Sequence, residues 1–179
     1  MAEGLFRDMA QKEGLAAEVR SAGVAAFDGD RISRHSATIL RERGIADNTT
    51  SNALTPEQIA WADIILTMAI SHKRAVVQRH PDAIDKTFTL KEYVDRDPAY
   101  GEALQEQERL IADMEVKRSL GQQIPPEDYA KLRELQKRTP DYDIGDPFGG
   151  SLDTYKMAAR EIEDCLRKLV DQLKGERGV

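Results

Sequence analysis

Asp63 leads into Ile64-Ile65-Leu66-Thr67-Met68, a near-continuous apolar run. Such a run suits a strand buried on both faces, and a sheet of such strands must be covered by helices on either side. The flanking sequence supplies them. Thr55-Pro56-Glu57-Gln58 carries an N-cap, a first-turn proline and a glutamine three residues after the cap, so a short helix begins there. Another helix is expected over about 71–79, and Lys86 to Leu90 reads as a further strand. Upstream, Ala17 and Val19 alternate with Glu18 and Arg20, which predicts a short strand over 17–22 ending at Ser21-Ala22-Gly23. A helix over about 33–43 is closed by Gly44. Strands alternating with helices at this spacing imply an α/β domain with a parallel sheet.

The two ends of the chain are helical in pattern. Ala2, Leu5, Phe6, Met9 and Ala10 fall on one face, and Gly14 is placed to stop that helix. At the other end Ser151 can cap a long helix in which Tyr155, Ala158, Ala159, Ile162, Cys165, Leu166, Leu169 and Leu173 form one apolar stripe ending before Gly175. The regularity breaks after Val94. Residues 95–141 are charge-rich, with one weakly apolar helical stretch through Leu104, Ile111 and Met114 and another through Tyr129, Leu132 and Leu135, separated by Pro125-Pro126. They read as a helical hairpin inserted into a single domain spanning residues 1–179.

The charge balance, Lys+Arg 26 against Asp+Glu 32, does not indicate broad wrapping of nucleic acid. No apolar stretch approaches a membrane span and no signal-peptide pattern opens the chain. The single cysteine, Cys165, excludes an internal disulfide and fits a reducing compartment, so a cytoplasmic location is expected. Cys165 lies on the apolar stripe, which points to the core.

Chemistry is concentrated in Asp146-Pro147-Phe148-Gly149-Gly150-Ser151, directly before the last helix. Asp-Pro and Gly-Gly can be simple turn chemistry leading into a capped helix. Alternatively, the proline stiffens a loop that holds Asp146 as a general acid over a substrate.

Met1-Ala2-Glu3, Arg20-Ser21-Ala22-Gly23, Ile64-Ile65-Leu66-Thr67-Met68, Thr89-Leu90-Lys91-Glu92-Tyr93-Val94 and Asp146 to Ser151, in that order, resemble the low-molecular-weight protein-tyrosine phosphatase family. The last two strings look most like a bacterial branch that includes protein-arginine phosphatases. The resemblance implies a three-layer α/β/α fold with a four-stranded parallel sheet. It also implies a hydrolase of phosphorylated protein side chains, phosphotyrosine or phosphoarginine, with no metal and no cofactor. In the family a cysteine thiolate attacks phosphorus to form a phosphocysteine, an arginine grips the equatorial oxygens, and backbone N–H groups at a helix N-terminus hold the phosphate. The aspartate of the Asp-Pro loop protonates the leaving atom and then activates water, and that role carries over to Asp146. Phe148 stands where relatives place an aromatic wall, able to stack on an aryl ring or a guanidinium. Ser21 matches a serine that supports the nucleophile loop, although a strand-end serine in a turn is an equal reading of the residue itself.

The family's nucleophile loop, a cysteine and an arginine five residues apart followed by Ser-Pro, precedes the string that here opens the chain, and it does not occur within residues 1–179. Cys165 does not replace it, since the sixth residue after it is Asp171. The missing segment also holds the first, central strand of the family's sheet, between the strands corresponding to 17–22 and 63–68. The chain as written is therefore expected to be poorly folded and inactive, and Met1 is expected to be an internal methionine of a longer protein. Asn48, where related sequences often continue with histidine, is followed by Thr49, which argues against a histidine supporting the loop. His35, His72 and His80 lack paired spacing and read as surface residues rather than metal ligands.

Two other classes fit parts of this sequence less well. A thioredoxin-coupled arsenate reductase on the same fold needs further cysteines, which one core cysteine does not provide. A non-catalytic interaction protein would use 95–141 to bind a protein partner. The genomic frame upstream of Met1 tests the expectation about the start: a cysteine-to-arginine loop should be read there, and a stop codon before any such loop overturns it.

Overall fold

The computed structural model describes residues 1–24, 26, 29, 31–46, 50–95, 98–138 and 141–177. Residues 1–94 with 142–179 make one compact unit, and residues 95–141 a second.

The first unit is organised by its terminal helices. Helix α1, Ala2–Lys12, buries Leu5, Phe6 and Ala10 at the expected helical spacing. Gly14 takes a positive φ of 65° just past its end, and the Leu15 N–H returns to the Ala10 carbonyl at 2.8 Å, so the glycine stops the helix as its backbone freedom allows. Helix α2, Arg34–Glu42, is capped by Ser33, whose hydroxyl accepts from the Ser36 N–H at 3.2 Å, and it buries Ile39 and Leu40 completely. Helix α3, Pro56–Trp61, opens with the expected capping box between Thr55 and Gln58. Its last turn is closed by Lys86, which donates to the carbonyls of Ile59 at 2.8 Å and Ala62 at 2.9 Å.

Helix α8 is the longest element. The predicted stripe is buried, with Tyr155, Ala158, Ala159, Ile162, Cys165, Leu166 and Leu169 all in the core, and Val170 joins it while Leu173 is partly covered. The helix does not stop before Gly175, however, but runs Leu152–Arg177. A helical glycine costs only about 1 kcal/mol relative to alanine. One main cluster gathers Leu5, Phe6 and Ala10 of α1, Leu40 of α2 and Ile162, Cys165, Leu166 and Leu169 of α8. Lys174 pairs with Glu13 at 2.8 Å, joining the end of α8 to the end of α1. The Lys174 ammonium, by its hydrogen bond and then by its charge, holds the Glu13 carboxyl below its ordinary range. Its contribution is therefore present at neutral pH and lost as pH falls through that lowered value.

Between these helices lies a parallel pair of strands, β1 Ile65–Thr67 and β2 Thr87–Thr89, in register Ile65 with Thr87, Leu66 with Phe88 and Thr67 with Thr89. Helix α4, Ile70–Arg79, and a 3-10 stretch Pro81–Lys86 connect them. This is the α/β arrangement expected, with shorter strands than the 63–68 and 86–90 of the sequence reading. The run at 64–66 is only half-buried rather than enclosed on both faces.

The strand expected over 17–22 does not form. Alternation specifies which side chains share a face, but a strand also needs a neighbour to take its N–H and C=O groups. Among the described residues, this stretch gains a partner only at its exit. There Gly23 bridges Ala53, with Gly23 N–H donating to Asn52 O at 2.8 Å and Leu54 N–H to Gly23 O at 3.1 Å.

The sequence reading also missed helix α5, Leu90–Val94, which cuts short the strand expected to reach Leu90. Its signal is Thr89-Leu90-Lys91-Glu92, a capping box. Glu92 N–H donates to Thr89 Oγ1 at 3.1 Å, and Thr89 N–H to Glu92 Oε2 at 3.0 Å. Lys73 of α4 holds the same carboxylate at 2.8 Å.

The second unit contains two helices, α6 Pro98–Ser119 and α7 Pro126–Arg138. Met114 and Leu135 are buried, whereas Tyr129, placed on the apolar stripe by its spacing, is 44% exposed. Two polar pairs join the helices, Lys131 with Glu106 at 2.7 Å and Lys117 with Asp128 at 2.8 Å, and Lys117 also bonds Asp113 of its own helix at 2.6 Å. Those two carboxylates raise the Lys117 ammonium well above its ordinary value.

Leu40→Ala should cost about 2–5 kcal/mol in urea unfolding, because Leu40 is wholly enclosed. Met157→Ala, at a position 70% exposed on α8, should stay within about 0.5 kcal/mol of the parent.

Candidate active site

The loop carrying Asp146 is built on the end of β1. Tyr142 and Ile144 are buried while Asp143 and Gly145 are exposed, the two-residue alternation of an extended segment with one face inward. The Ile144 N–H donates to the Met68 carbonyl at 2.7 Å, so the returning chain lies against the residue that follows β1. Two residues past Met68, the Ile70 N–H donates to Asp143 Oδ1 at 2.7 Å. That N–H belongs to the first residue of α4, whose own N-cap, Ala69, has no side chain able to serve it. Lys91 completes the attachment: its ammonium donates to the Asp143 carbonyl at 2.6 Å and pairs with Glu161 of α8 at 2.5 Å. Asp143 and Lys91 were not picked out as site residues. The only sequence signal was that Lys91 belongs to the 89–94 string and Asp143 precedes Asp146 by three residues.

Beyond this anchor the chain turns sharply. Gly150 N–H donates to the Pro147 carbonyl at 2.8 Å, and Gly149, at the third position of that turn, has φ of 77°, the left-handed value a type II turn demands there. Asp146 Oδ1 accepts from the Phe148 N–H at 3.0 Å, the local bond by which aspartates nucleate turns. This bond is the turn chemistry expected of an Asp-Pro loop. Asp146 does shape the turn, and it is exposed, with Oδ2 accepting no bond among the described residues. Pro147 is half-buried. Phe148 is 84% exposed, an aromatic face presented to solvent beside the carboxylate. Ser151 then caps α8, accepting from the Thr154 N–H at 3.3 Å.

Ser21 stands elsewhere. Its hydroxyl donates to the Glu3 carboxylate, which also binds Arg7 one turn along α1. These residues line an open groove of about 610 Å³ together with Val19, Arg20 and Gln58, and none of Asp146, Pro147 or Phe148 lines it. Arg20 lies over the ring of Trp61 at 4.0 Å to its centroid, a cation–π contact at the groove's edge. Glu3, which gives Ser21 its partner, went unnoticed, since a first-turn glutamate is ordinary helix chemistry.

The remaining sequence candidates have structural places. Cys165 is buried on α8. His35 is half-buried and packs its ring on Tyr155 at 5.1 Å, so it is not the surface histidine expected; His72 and His80 are half-buried as well. Asn48 and Thr49 lie outside the described residues. No helix among the described residues is long and apolar enough to cross a membrane.

With this geometry in hand, comparison with known proteins is informative. The family described as low molecular weight phosphotyrosine protein phosphatase matches residues 1–112. A protein-arginine-phosphatase of Bacillus subtilis (strain 168) is 34% identical over 177 residues, covering 99% of this chain and 89% of its own length. One from Geobacillus stearothermophilus is 32% identical over 160 residues, 89% of this chain and 79% of its own. Among solved structures, the YwlE arginine phosphatase, as a cysteine-to-serine mutant with a phosphorylated active-site serine, superposes with a TM-score of 0.72 at 34% identity. That match spans 98% of this chain and 88% of the other. A low molecular weight protein tyrosine phosphatase from T. tengcongensis gives 0.68 at 28% identity, over 96% and 88%.

The turn geometry is itself testable. A Cβ at Gly150 would stand 2.9 Å from the Pro147 carbonyl oxygen and 3.1 Å from Thr154. Gly150→Ala should therefore cost about 1–3 kcal/mol and shift the Phe148 amide resonance, whereas an unmoved resonance would show that the turn tolerates the methyl.

Proposed function

This chain belongs to the low-molecular-weight phosphotyrosine protein phosphatase family, and from that premise we propose that Asp146 is the general acid and base of a phosphoprotein phosphatase. The single observation that carries the reading is the loop. A carboxylate stands on a turn stiffened by Pro147, anchored to the end of β1, with one oxygen held and the other open. In the proposed reaction a thiolate attacks phosphorus and the P–O or P–N bond to the protein side chain breaks. The Asp146 proton passes to the leaving oxygen or nitrogen. The carboxylate so formed then takes a proton from the water that displaces the thiolate and releases phosphate.

Residues 1–179 supply the acid and base of this sequence but not the thiolate. Cys165 is buried in α8, with Asp171 rather than an arginine six residues on. A thiol in the core cannot reach a phosphorylated side chain, and a protein-sized substrate cannot reach it. The 179 residues alone are accordingly inactive in this reading, and Ser21 serves as a support for the loop that brings the thiolate.

Phosphoarginine is the proposed substrate. The support is that the two curated relatives at 34% and 32% identity over most of this chain are both named protein-arginine-phosphatase, although a low molecular weight protein tyrosine phosphatase structure from Bacillus subtilis also stands at 34%. Phe148 fits this choice, since an exposed aromatic face can stack on a guanidinium plane as readily as on a phenyl ring. Phosphorylated proteins of the cytoplasm are the proposed targets. A second role is proposed for residues 95–141 as a surface for a protein partner, favoured by Val116 and Leu120, which are 56% and 66% exposed at the hairpin's end.

The test is direct. Protein purified from its native source should hydrolyse phosphoarginine in proteins, and Asp146→Asn should lower kcat by about 10²–10⁴. Residues 1–179 expressed alone should release no phosphate. Hydrolysis of phosphotyrosine only would reject the substrate, and turnover by the 179 residues would reject the thiolate mechanism.

A further inference from the structure

An acid three bonds away from the chain axis is useful only if its backbone is held still. The Asp146 turn has few contacts of its own: Asp146, Phe148 and Gly149 are exposed, and the turn's internal bonds are Phe148 N–H to Asp146 and Gly150 N–H to Pro147. On its C-terminal side, Ser151 and α8 fix it. On its N-terminal side two bonds converge on Asp143. Its carboxylate takes the Ile70 N–H at 2.7 Å, where α4 lacks a side-chain cap of its own. Its carbonyl takes the Lys91 ammonium at 2.6 Å, and Lys91 in turn is held by Glu161 at 2.5 Å. The neighbouring Ile144 N–H reaches the Met68 carbonyl at 2.7 Å. One residue thus joins the acid loop to the start of α4 by its side chain and, through Lys91, to α5 and α8 by its main chain.

We propose that Asp143 is a positioning residue: by capping α4 at Ile70 and accepting Lys91, it sets where the Asp146 carboxylate stands. This rests on the reading of Asp146 as the acid. The arrangement is economical in chemical terms. The first turn of a helix presents N–H groups without helical partners and a partial positive charge, and at α4 the Ile70 N–H is one that finds an anionic acceptor. A charged acceptor at 2.7 Å makes the bond stronger than a neutral one would. The cap is contributed across 73 residues of sequence, so breaking it frees a loop rather than merely fraying a helix end. Lys91 acts on the same residue from the other side. Its ammonium is pinned between Glu161 and the Asp143 carbonyl, so the carbonyl cannot rotate without losing a charged donor.

The first measurement does not depend on activity. In the full protein, Asp143→Ala should raise hydrogen exchange at the Phe148 and Gly150 amides by about tenfold or more, and Asp143→Asn, which keeps an N-cap oxygen, should restore most of the protection. Lys91→Met, which keeps the stem and removes the donor, should raise exchange at the same amides less strongly, and it serves where Asp143→Ala does not fold. Unchanged exchange at Phe148 and Gly150 in both Asp143→Ala and Lys91→Met overturns the proposal. The second measurement uses the active native protein and aryl phosphates of graded leaving-group pKa. A displaced acid makes kcat fall for poor leaving groups such as phenol while sparing p-nitrophenol, so Asp143→Ala should reproduce, in weaker form, the steeper dependence of Asp146→Asn. A uniform fall across leaving groups in Asp143→Ala, with Asp146→Asn steep, overturns the positioning role. If Asp146→Asn itself shows no added leaving-group dependence, it is the acid assignment that fails, and the exchange result alone then decides whether Asp143 orders the loop.

Discussion

The burial of one face of α8 is the constraint on which the first unit depends. Its stripe from Tyr155 to Val170 supplies the side chains against which α1, α2 and α5 are packed, and each buried aliphatic residue there contributes about 1.5–3 kcal/mol relative to exposure. The two-stranded sheet is too small to organise a domain by itself; paired strands become independently stable only with a covering layer. The same helix is capped by Ser151, the last residue of the Asp146 loop, so the longest helix of the unit also fixes one end of that loop.

Much of this was legible from local pattern, and the exceptions have physical causes. The stripe of α8, the stop at Gly14 and the capping box at Thr55 are properties of neighbouring residues, and they appear where the spacing places them. The strand at 17–22 is not such a property. Its alternation names a face, but a ladder requires a second chain segment, which local pattern does not reveal. Helix α5 was hidden for the opposite reason: its Thr89–Glu92 box was readable, yet the β-branched run before it drew the eye to a strand. At the site, Asp146, Pro147 and Phe148 announce themselves as a string, whereas Asp143, Lys91 and Glu3 bond partners 73, 52 and 18 residues away.

The chemistry divides in the same manner. An acid of the kind proposed for Asp146 needs only a loop and an anchor, both of which residues 1–179 contain. A thiolate nucleophile needs a depressed pKa and an approach path, and Cys165, enclosed among Ile162, Leu166 and Leu169, has the surroundings of a packing residue. The groove beside Ser21 and Glu3 and the turn at Asp146 are consequently two separate features of this chain, each with its own hydrogen bonds, and neither draws on the other for its shape.

The hairpin of residues 95–141 leaves the first unit after Val94 and returns at Tyr142. Both departure points are secured independently of it: the Val94 carbonyl accepts from Gln172 at 2.9 Å, and Tyr142 is buried immediately before Asp143. Between two pinned ends, the entropy of closing a loop rises only logarithmically, about 0.6 kcal/mol for each doubling of length. The excursion is therefore a place where the chain can be lengthened, shortened or rewritten at small thermodynamic cost, while the bonds that hold Asp143 to Ile70 and Lys91 lie wholly within the first unit.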